Sequence, residues 1–560
     1  MRVGGIQFHS RYNPEQEAQR LLDSAKLDEK TPVLVVGSGL GYHVIALREH
    51  GHDVVVIEPD KDILALAVRG PLGTIDCLLG LGELPDAGDD AALDNFLARE
   101  PQLLIHPPTA QRHGEFVAKL QATLSVRSLE DKHMNVAVVG PMYGGSLPIA
   151  EYLAHAFARL GHNTRYINHE DAWPLYEKIS ATVTGEKPAA QLTDYFTNFL
   201  SEWTYAQVAE FNPEICIVLA QAPVAPNFPE RLRANGTITA FWYVENWRHL
   251  PYWRTTAPHY DYFFHIQPGE FEEKLDAVGC QHHAHVQTAC DPQRHGPTTL
   301  SEEEQGQYGC DLSFAGAGYY NRIEIFKGLG DYNFKIWGVN WSDRYLRRLL
   351  PEGEKRFDAE VFMKIVAGSA INLNLHSSST HNGVDPACDA INPRVFEIAA
   401  AGGFQLCDPC VGLDKLFDFD TELPVYRDLR ELREKIDYYL AHPEERQAMA
   451  TAAQTRVLAE HTYELRAKDM LRHIFSAHGA KLIKRGIRAV HSVTEIKKRL
   501  EEDSDLYQWL DALPPETPFT YEVMSQLTPP LGGERGPAEA IFAYMCQVKL
   551  NADAITRMIR

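Results

Sequence analysis

Residues 392–408 read NPRVFEIAAAGGFQLCD. Asn392 is a residue type favoured as a helix N-cap, Pro393 suits the first helical position, and Gly402-Gly403 marks a stop. The spacing predicts a short helix, then an apolar strand at 404–406. Apart from Arg394 and Glu397 that helix is built of Val, Phe, Ile and Ala, so it is buried. A charged pair in its first turns needs a reason to be there. The bland one is a carboxylate answering the helix dipole, worth roughly 0.3–1 kcal/mol. Outward from this stretch lie strand AINLNLH (370–376), a helix at 358–367, strand FKIWG (334–338) and a strand at 312–316 within DLSFAGAGYYNR (311–322). Strands alternating with helices predict a parallel α/β sheet, and ligands of open α/β folds bind outside the carboxyl ends of the strands, where the 392 helix begins.

The same alternation recurs earlier in the chain. One series starts at VLVVGSGLGYH (33–43) and fades near the polar SLEDKH (128–133); another starts at MNVAVVGPMYGGS (134–146) and ends in the Pro-rich ACDPQRHGPTTLSEEEQG (289–306). In the second series Ile149, Leu153, Phe157 and Leu160 share one helical face, Gly161 suits the C′ position, and TRYIN (164–168) is the next strand. Gly144-Gly145 at that helix's N-terminus offers unpaired N–H groups and a positive dipole end to an anion such as a diphosphate. The predicted organisation is four segments, 1–132, 133–305, 306–475 and a helical tail 476–560, with no tandem repeat or low-complexity tract.

Composition narrows the function. With 54 Lys+Arg against 76 Asp+Glu the formal charge is −22, which speaks against a dedicated nucleic-acid binder. Apolar runs such as ICIVLA (215–220) stop far short of a membrane span of about 20 residues, and MRVGGIQFHSRYNP does not read as a secretion signal. Nine cysteines, an odd and sparse count, fit reduced thiols and a cytoplasmic setting. Cys407 and Cys410 form a CxxC with no second CxxC or CxxH pair, and read as plain structure. His282, His283 and His285 alternate with Ala284 and Val286 and read as surface residues on a strand.

Asp389 lies eight residues before Glu397, an acidic-x7-Glu spacing. Here the chain resembles the retaining GT-B glycosyltransferases, most closely the spore-maturation (CgeB-like) group with its Asn-x-Arg-x-Phe-Glu helix. The resemblance spans about 134–475 and rests on PMYGGS, FARLGH, DLSFAGAGYYNR, KIWG, LNLH, NPRVFEIAAAGG and LREKIDYYLAHPEER followed by HTYELR. It implies a GT-B fold, two Rossmann-like domains facing a cleft, and a nucleotide-sugar donor. Glu397 matches the glutamate that holds the donor ribose hydroxyls. Asp389 falls where a glutamate contacts the transferred sugar, one methylene shorter. Arg322, with Lys327 five residues on, resembles the basic pair on the donor diphosphate. Gly144 and Gly145 match the facing loop, Gly338 ends the strand near the nucleobase, and Asn392 and Arg394 complete the donor set. Fixed cations then stabilise the leaving diphosphate, so no metal or cofactor is required. Asp418-Phe419-Asp420 is a DxD, the motif by which other glycosyltransferases hold Mn²⁺, but it reads as a solvated turn.

Gly37, Gly39 and Gly41 after an apolar strand, with Glu58 ending the next one, are the sequence picture of an S-adenosylmethionine or dinucleotide site. No downstream Asn/Asp-Pro-Pro-aromatic tetrad accompanies them; His106-Pro107-Pro108 lacks the aromatic residue. SRYNPEQEAQRLL (10–22), GSGLGYHVIAL and VIEPD resemble instead the N-terminal region of motility-associated factor (Maf) proteins, which glycosylate flagellin and in which this segment is not a methyltransferase. That makes a protein such as flagellin the expected acceptor, with a glycan as the other candidate. A methyltransferase or bifunctional enzyme using 33–60, and a non-catalytic scaffold, are the competing classes. The aromatic FWYVENWRHLPYW (241–253), with Glu245, Asn246, Arg248 and His249, reads either as a border of the interdomain cleft or as aromatic core. KLIKRGIRAVHSVTEIKKRL (481–500) holds seven Lys/Arg against one Glu with apolar residues at helical spacing, predicting one amphipathic helix packed on the body; docking to an acidic partner or an anionic membrane is the sharper alternative.

Overall fold

The structure, a computed structural model of the 560-residue chain, describes residues 2–484 with short breaks at 4–5, 11, 29, 75–76, 83, 85–88, 100, 130–131 and 379. Beyond these it describes 488–489, 492–498, 500, 504–515, 517–519, 523–524, 527, 540 and 544. The chain forms two compact units, Met1–Lys132 with Ile474–Gly486, and His133–His473 with Ile487–Arg560.

The first unit is built on four parallel strands, β1 (Val33–Val36), β2 (Val54–Glu58), β3 (Leu78–Leu81) and β4 (Gln102–Ile105), in the order β3-β2-β1-β4. β1 and β2 are buried along their whole length, as continuous Val/Ile runs require when helices cover both faces of a parallel sheet.

The second unit holds two parallel sheets. One has six strands, β5 (Asn135–Val139), β6 (Asn163–Ile167), β7 (Ile215–Leu219), β8 (Ile238–Tyr243), β9 (Tyr262–His265) and β10 (His283–His285), ordered β10-β9-β8-β7-β5-β6. The other has four, β11 (Cys310–Ala315), β12 (Phe334–Trp337), β13 (Ser369–Asn374) and β14 (Gln405–Cys407), ordered β12-β11-β13-β14. The main helices used below are α1 (Ser146–Arg159), α2 (Tyr320–Phe326), α3 (Arg394–Ala400) and α4 (Tyr463–Lys484). α1 ends as its sequence demands: Gly161 takes φ +91° and the amides of Gly161 and His162 bond back to Ala158 and Phe157, closing the orphan carbonyls. This is an α/β architecture of parallel sheets, with helices in the C-terminal region.

The segment between the two sheets is more than a spacer. Cys290 pairs in parallel with Thr462, its amide on the His461 carbonyl and its carbonyl taking the Tyr463 amide. The chain therefore returns to the six-stranded domain at the start of α4, where Arg466 Nε donates to the Gln287 carbonyl at 2.9 Å and Tyr262 donates to the His473 carbonyl at 2.6 Å.

Two expectations need correction. Residues 474–486 group with the N-terminal unit, where Gly479 packs so closely on Ser125 that a Cβ would lie 2.4 Å from the serine Cβ. The single amphipathic helix at 481–500 is not formed either: α4 ends at Lys484 and a separate helix, Val493–Lys497, starts from Ser492. The cause is a capping box, the Ser492 hydroxyl accepting the Glu495 amide while Glu495 accepts the Ser492 amide, which begins a helix where the apolar spacing alone would continue one. Lys497 pairs with Asp511 and lies over the Tyr507 ring. Residues 485–487, 490–491 and 499 of that stretch, with Arg485 and Arg499, lie outside the described residues.

Candidate active site

Helix α3 carries the pair singled out in the sequence. Glu397 is 4% exposed, Arg394 Nη1 donates to its Oε2 at 2.6 Å, and His295 Nε2 lies 3.8 Å from Oε1. The Arg394 guanidinium is stacked over the Phe362 ring at 4.0 Å. His295 comes from the inter-sheet segment, its Nδ1 accepting the Asp291 amide at 3.0 Å and its ring edge-on to Tyr152 of α1 at 4.9 Å. Burial pushes the His295 pKa down and the Tyr152 pKa up. Asp291 in turn accepts from Arg159 of α1. The Glu397 carboxylate thus sits where α3, the inter-sheet segment and α1 converge. Sequence reasoning missed His295, Tyr152 and Asp291; a His between Arg and Gly in a Pro-rich linker gives no periodic or motif signal.

Gly402 closes α3 with φ +74°, and the Gly403 amide reaches back to Ile398. The start differs from expectation. Pro393 is the capping position, no side chain caps the helix, and Asn392 instead donates from Nδ2 to Asn374 Oδ1 at 2.9 Å. A cross-strand partner at the end of β13 outcompetes the local cap, and Asn392 Oδ1 is left buried with no hydrogen-bond partner.

Arg322 of α2 is buried. Its Nε donates to the Leu375 carbonyl at 2.9 Å and its Nη1 to the Ala317 carbonyl at 3.0 Å, between the Phe314 and Tyr319 rings. Burial lowers its pKa to about 10, so it stays cationic at neutral pH. Lys327 is not its companion. Five residues along a helix rotate a side chain by about 140°, and Lys327 projects to the surface, bonded to Glu324 at 2.6 Å and 3.8 Å from Asp343. Gly338 has φ +134°, and a Cβ there would lie 2.1 Å from the Gly316 carbonyl oxygen. Gly144 has φ +102°, whereas Gly145 is right-handed helical with open space beside it. Beside them Tyr143 stacks on Trp173 at 3.7 Å and faces Arg356 of the four-stranded domain.

Asp389 bridges the two sheets' domains. Its Oδ2 takes Arg248 Nη1 at 2.5 Å and its Oδ1 takes Gln267 Nε2 at 2.6 Å. Arg248 also bonds Glu270 at 3.2 Å and lies over the Trp247 ring. Most of the 241–253 aromatics are core: Trp242, Tyr243 and Trp253 are fully buried, so Arg248 is what that segment offers the neighbouring domain. Glu245 is a partly buried carboxyl whose pKa burial raises to about 7. Near it a cavity of about 390 Å³ is lined by Gln221, Phe241, Tyr252, His259 and Tyr260 among others.

The DxD turn is a turn. Asp418 Oδ1 accepts the amides of Asp420 and Thr421 at 2.8 and 3.1 Å, and both aspartates are exposed. His282 and His285 are exposed, whereas His283 beside buried Ala284 is half-buried with its Nε2 3.0 Å from Asp276 Oδ1.

The glycine loop of the first unit is spent internally. Glu58 is fully buried, Oε2 accepting both the amide and hydroxyl of Ser38 and Oε1 the Asp60 amide. A Cβ on Gly39 would meet His9 Nε2 at 2.3 Å. His9, His43 and His106 pack together there, with His43 and His106 stacked at 4.8 Å. Burial lowers all three pKa values, to about 4, 4 and 2, so they are neutral. Full burial and three hydrogen bonds tie the Glu58 carboxylate into its own loop.

Residues 322–472 match the protein family described as glycosyl transferase-like. The spore protein CgeB of Bacillus subtilis (strain 168) is 26% identical over 179 residues, 30% of this chain; the chain spans 55% of that protein's length. Among solved structures, sucrose-phosphate synthase from Thermosynechococcus elongatus is 12% identical with a TM-score of 0.43, covering 62% of this chain and 100% of its own. Anabaena HepE in complex with UDP is 9% identical with a TM-score of 0.41, over 62% of this chain and 100% of its own.

Proposed function

We propose that this chain, matched over residues 322–472 to the glycosyl transferase-like family, moves a sugar from a nucleoside diphosphate to an acceptor, with retention at the anomeric carbon. The observation that carries this reading is the placement of Arg322, Arg394 and Glu397 on α2 and α3, inside the matched segment, with Glu397 meeting His295 of the inter-sheet segment. Breaking the sugar–diphosphate bond puts negative charge on the leaving phosphate. Arg322 and Arg394 are fixed cations that stabilise it without reorganising. Glu397 accepts the ribose hydroxyls. Asp389 contacts the sugar in competition with Arg248, and Gly144, Gly145, Gly338 and Asn392 shape the donor's surroundings. Lys327, held by two carboxylates at the surface, is the weakest member of the set. The resemblance of SRYNPEQEAQRLL, GSGLGYHVIAL and VIEPD to Maf proteins is what favours a protein acceptor such as flagellin.

The reaction needs no catalytic metal on this reading, and among the described residues no helix is long and apolar enough to cross a membrane. Calorimetry against UDP-, GDP-, dTDP- and CMP-sugars, with S-adenosylmethionine as control, tests the proposal. Binding of one nucleotide sugar with turnover indifferent to added Mn²⁺ or Mg²⁺ is expected. Heat from S-adenosylmethionine alone would transfer the activity to the 33–60 loop.

A further inference from the structure

Beside the candidate active site lies a group of donors the transfer reaction does not use. His376, just past β13, and Cys388, in the polar loop before α3, meet Cys410 just past β14. A ring nitrogen of His376 and the two sulfurs all lie within 4.8 Å of one another, and the Cys388 and Cys410 Sγ atoms are 3.1 Å apart. His376, Cys407 and Asp408 form a second such group around the same imidazole. His376 and Asp408 are 2% and 0% exposed by side chain, and Cys407 and Cys410 are buried.

The histidine is already oriented. Its Nδ1 is 2.7 Å from Asp408 Oδ1, and the same oxygen takes the His376 amide at 2.8 Å. A carboxylate at Nδ1 fixes the ring's orientation and makes Nε2 the nitrogen that would face an ion, as in the carboxylate–histidine–metal arrangement. Nε2 is buried with no hydrogen-bond partner. A simple core of thiols, which pack as small apolar groups, accounts for the cysteines but leaves that nitrogen unsatisfied. So does a Cys388–Cys410 disulfide. One ion answers the nitrogen and the sulfurs together.

We propose that His376, Cys388 and Cys410 bind a zinc ion through one ring nitrogen and two sulfurs. Zinc–sulfur bonds of about 2.3 Å in a tetrahedron place two sulfurs about 3.8 Å apart, a small adjustment from the arrangement seen. Cys410 of the CDPC stretch, which alone reads as plain structure, gains partners from 376 and 388, separated too irregularly for a linear motif. The ion clasps the loop 376–391 to the end of β14, and that loop carries Asp389 and leads into Asn392. The proposal stands apart from the glycosyl-transfer reading, because it is read by metal binding and not by turnover.

The test uses the full-length protein, reduced and stripped of metal, titrated with Co²⁺ alone and then with Zn²⁺. The expected result is a thiolate-to-cobalt charge-transfer band saturating at one ion per chain and abolished by one equivalent of Zn²⁺. Cys388→Ser and Cys410→Ser should each weaken binding at least tenfold, and Asp408→Asn about 10–100-fold. Should the serine variants fold poorly, the wild-type spectrum still decides. Cobalt bound without the sulfur band would place the ion elsewhere, for example at His9, His43 and His106, and overturn the proposal. So would peptide mapping of the unreduced protein that finds Cys388 joined to Cys410.

Discussion

Glu397 and Arg322 are both buried charges, yet they are held differently and their substitutions should fail differently. Glu397 is paired with Arg394, whose side chain is 35% exposed. Glu397→Gln keeps the shape, and a partly hydrated Arg394 tolerates losing its partner. Transfer should fall at least tenfold, the cost of losing one charge-assisted contact of about 1.5–3 kcal/mol, with the melting temperature nearly unchanged. Arg322→Ala would also strip the donor from the Leu375 carbonyl, at about 1–3 kcal/mol for an acceptor left bare, while the Ala317 carbonyl keeps the Tyr319 amide. Arg322→Lys is the cleaner probe: charge stays, the fork is lost, and donor KM should rise while urea unfolding shows a smaller loss than for alanine. Unchanged donor KM would remove Arg322 from the site. Glu245 gives a pH prediction. Its folded pKa near 7 lies above the ordinary carboxylate range, so the folded state holds the proton more tightly, and that stability is present at low pH and lost as pH rises through about 7. Glu245→Gln should therefore gain in melting temperature relative to wild type between pH 5 and 8; equal pH profiles would refute the raised pKa. The α3 stretch was legible because its glycine stop and apolar composition are local. The bond from Asn392 to Asn374 was not, since the partner sits 18 residues away and competes with a cap the sequence favours.

At the scale of elements, the turn after β12 shows how a glycine fixes two strand ends at once. Gly338 follows Trp337, whose carbonyl takes the Gly316 amide beyond β11, and its left-handed φ carries the chain past the Gly316 carbonyl. Gly338→Ala imposes both backbone strain, about 1–3 kcal/mol, and a contact of 2.1 Å against backbone that no rotamer relieves. A fall of several degrees in melting temperature is expected, with donor affinity falling too, because the loop after β11 carries the Ala317 carbonyl that holds Arg322. A melting temperature equal to wild type would show that the turn relaxes freely. The strands built on β-branched runs were legible, whereas β3, β4 and β9 carry no such run and were not singled out. VLVV, NVAVV and ICIVL are β-branched runs bounded by turn residues, and each is a buried parallel strand. The tail misled because apolar spacing of 3 and 4 continues across 481–500, while Ser492 and Glu495 make a local start signal that outweighs it.

At the scale of the whole chain, neither the return of the backbone at Cys290 and Thr462 nor the bridge from Arg248 to Asp389 could be read beforehand, because both join residues more than 130 positions apart and no period or spacing encodes such contacts. What the sequence did carry was the series of strand-helix units on either side of 289–306. On the proposed reading, this bridge sets the terms for catalysis. Asp389 has one oxygen on Arg248 and the other on Gln267, so a sugar hydroxyl would share it with these two donors. Arg248 is 42% exposed by side chain, and ion pairs of that kind are worth about 0.2–1 kcal/mol. Giving up the pair is therefore cheap, and Arg248 competes with the donor for Asp389. Arg248→Ala should lower donor KM by up to about fivefold, the equivalent of that energy, and leave kcat unchanged. Asp389→Asn should do the reverse, cutting kcat at little change in donor KM, since the amide still reaches the sugar but brings no charge to the transition state. If Arg248→Ala raised KM instead, the pair would be a clasp that the closed domains require, and Asp389 would lose its place beside the sugar.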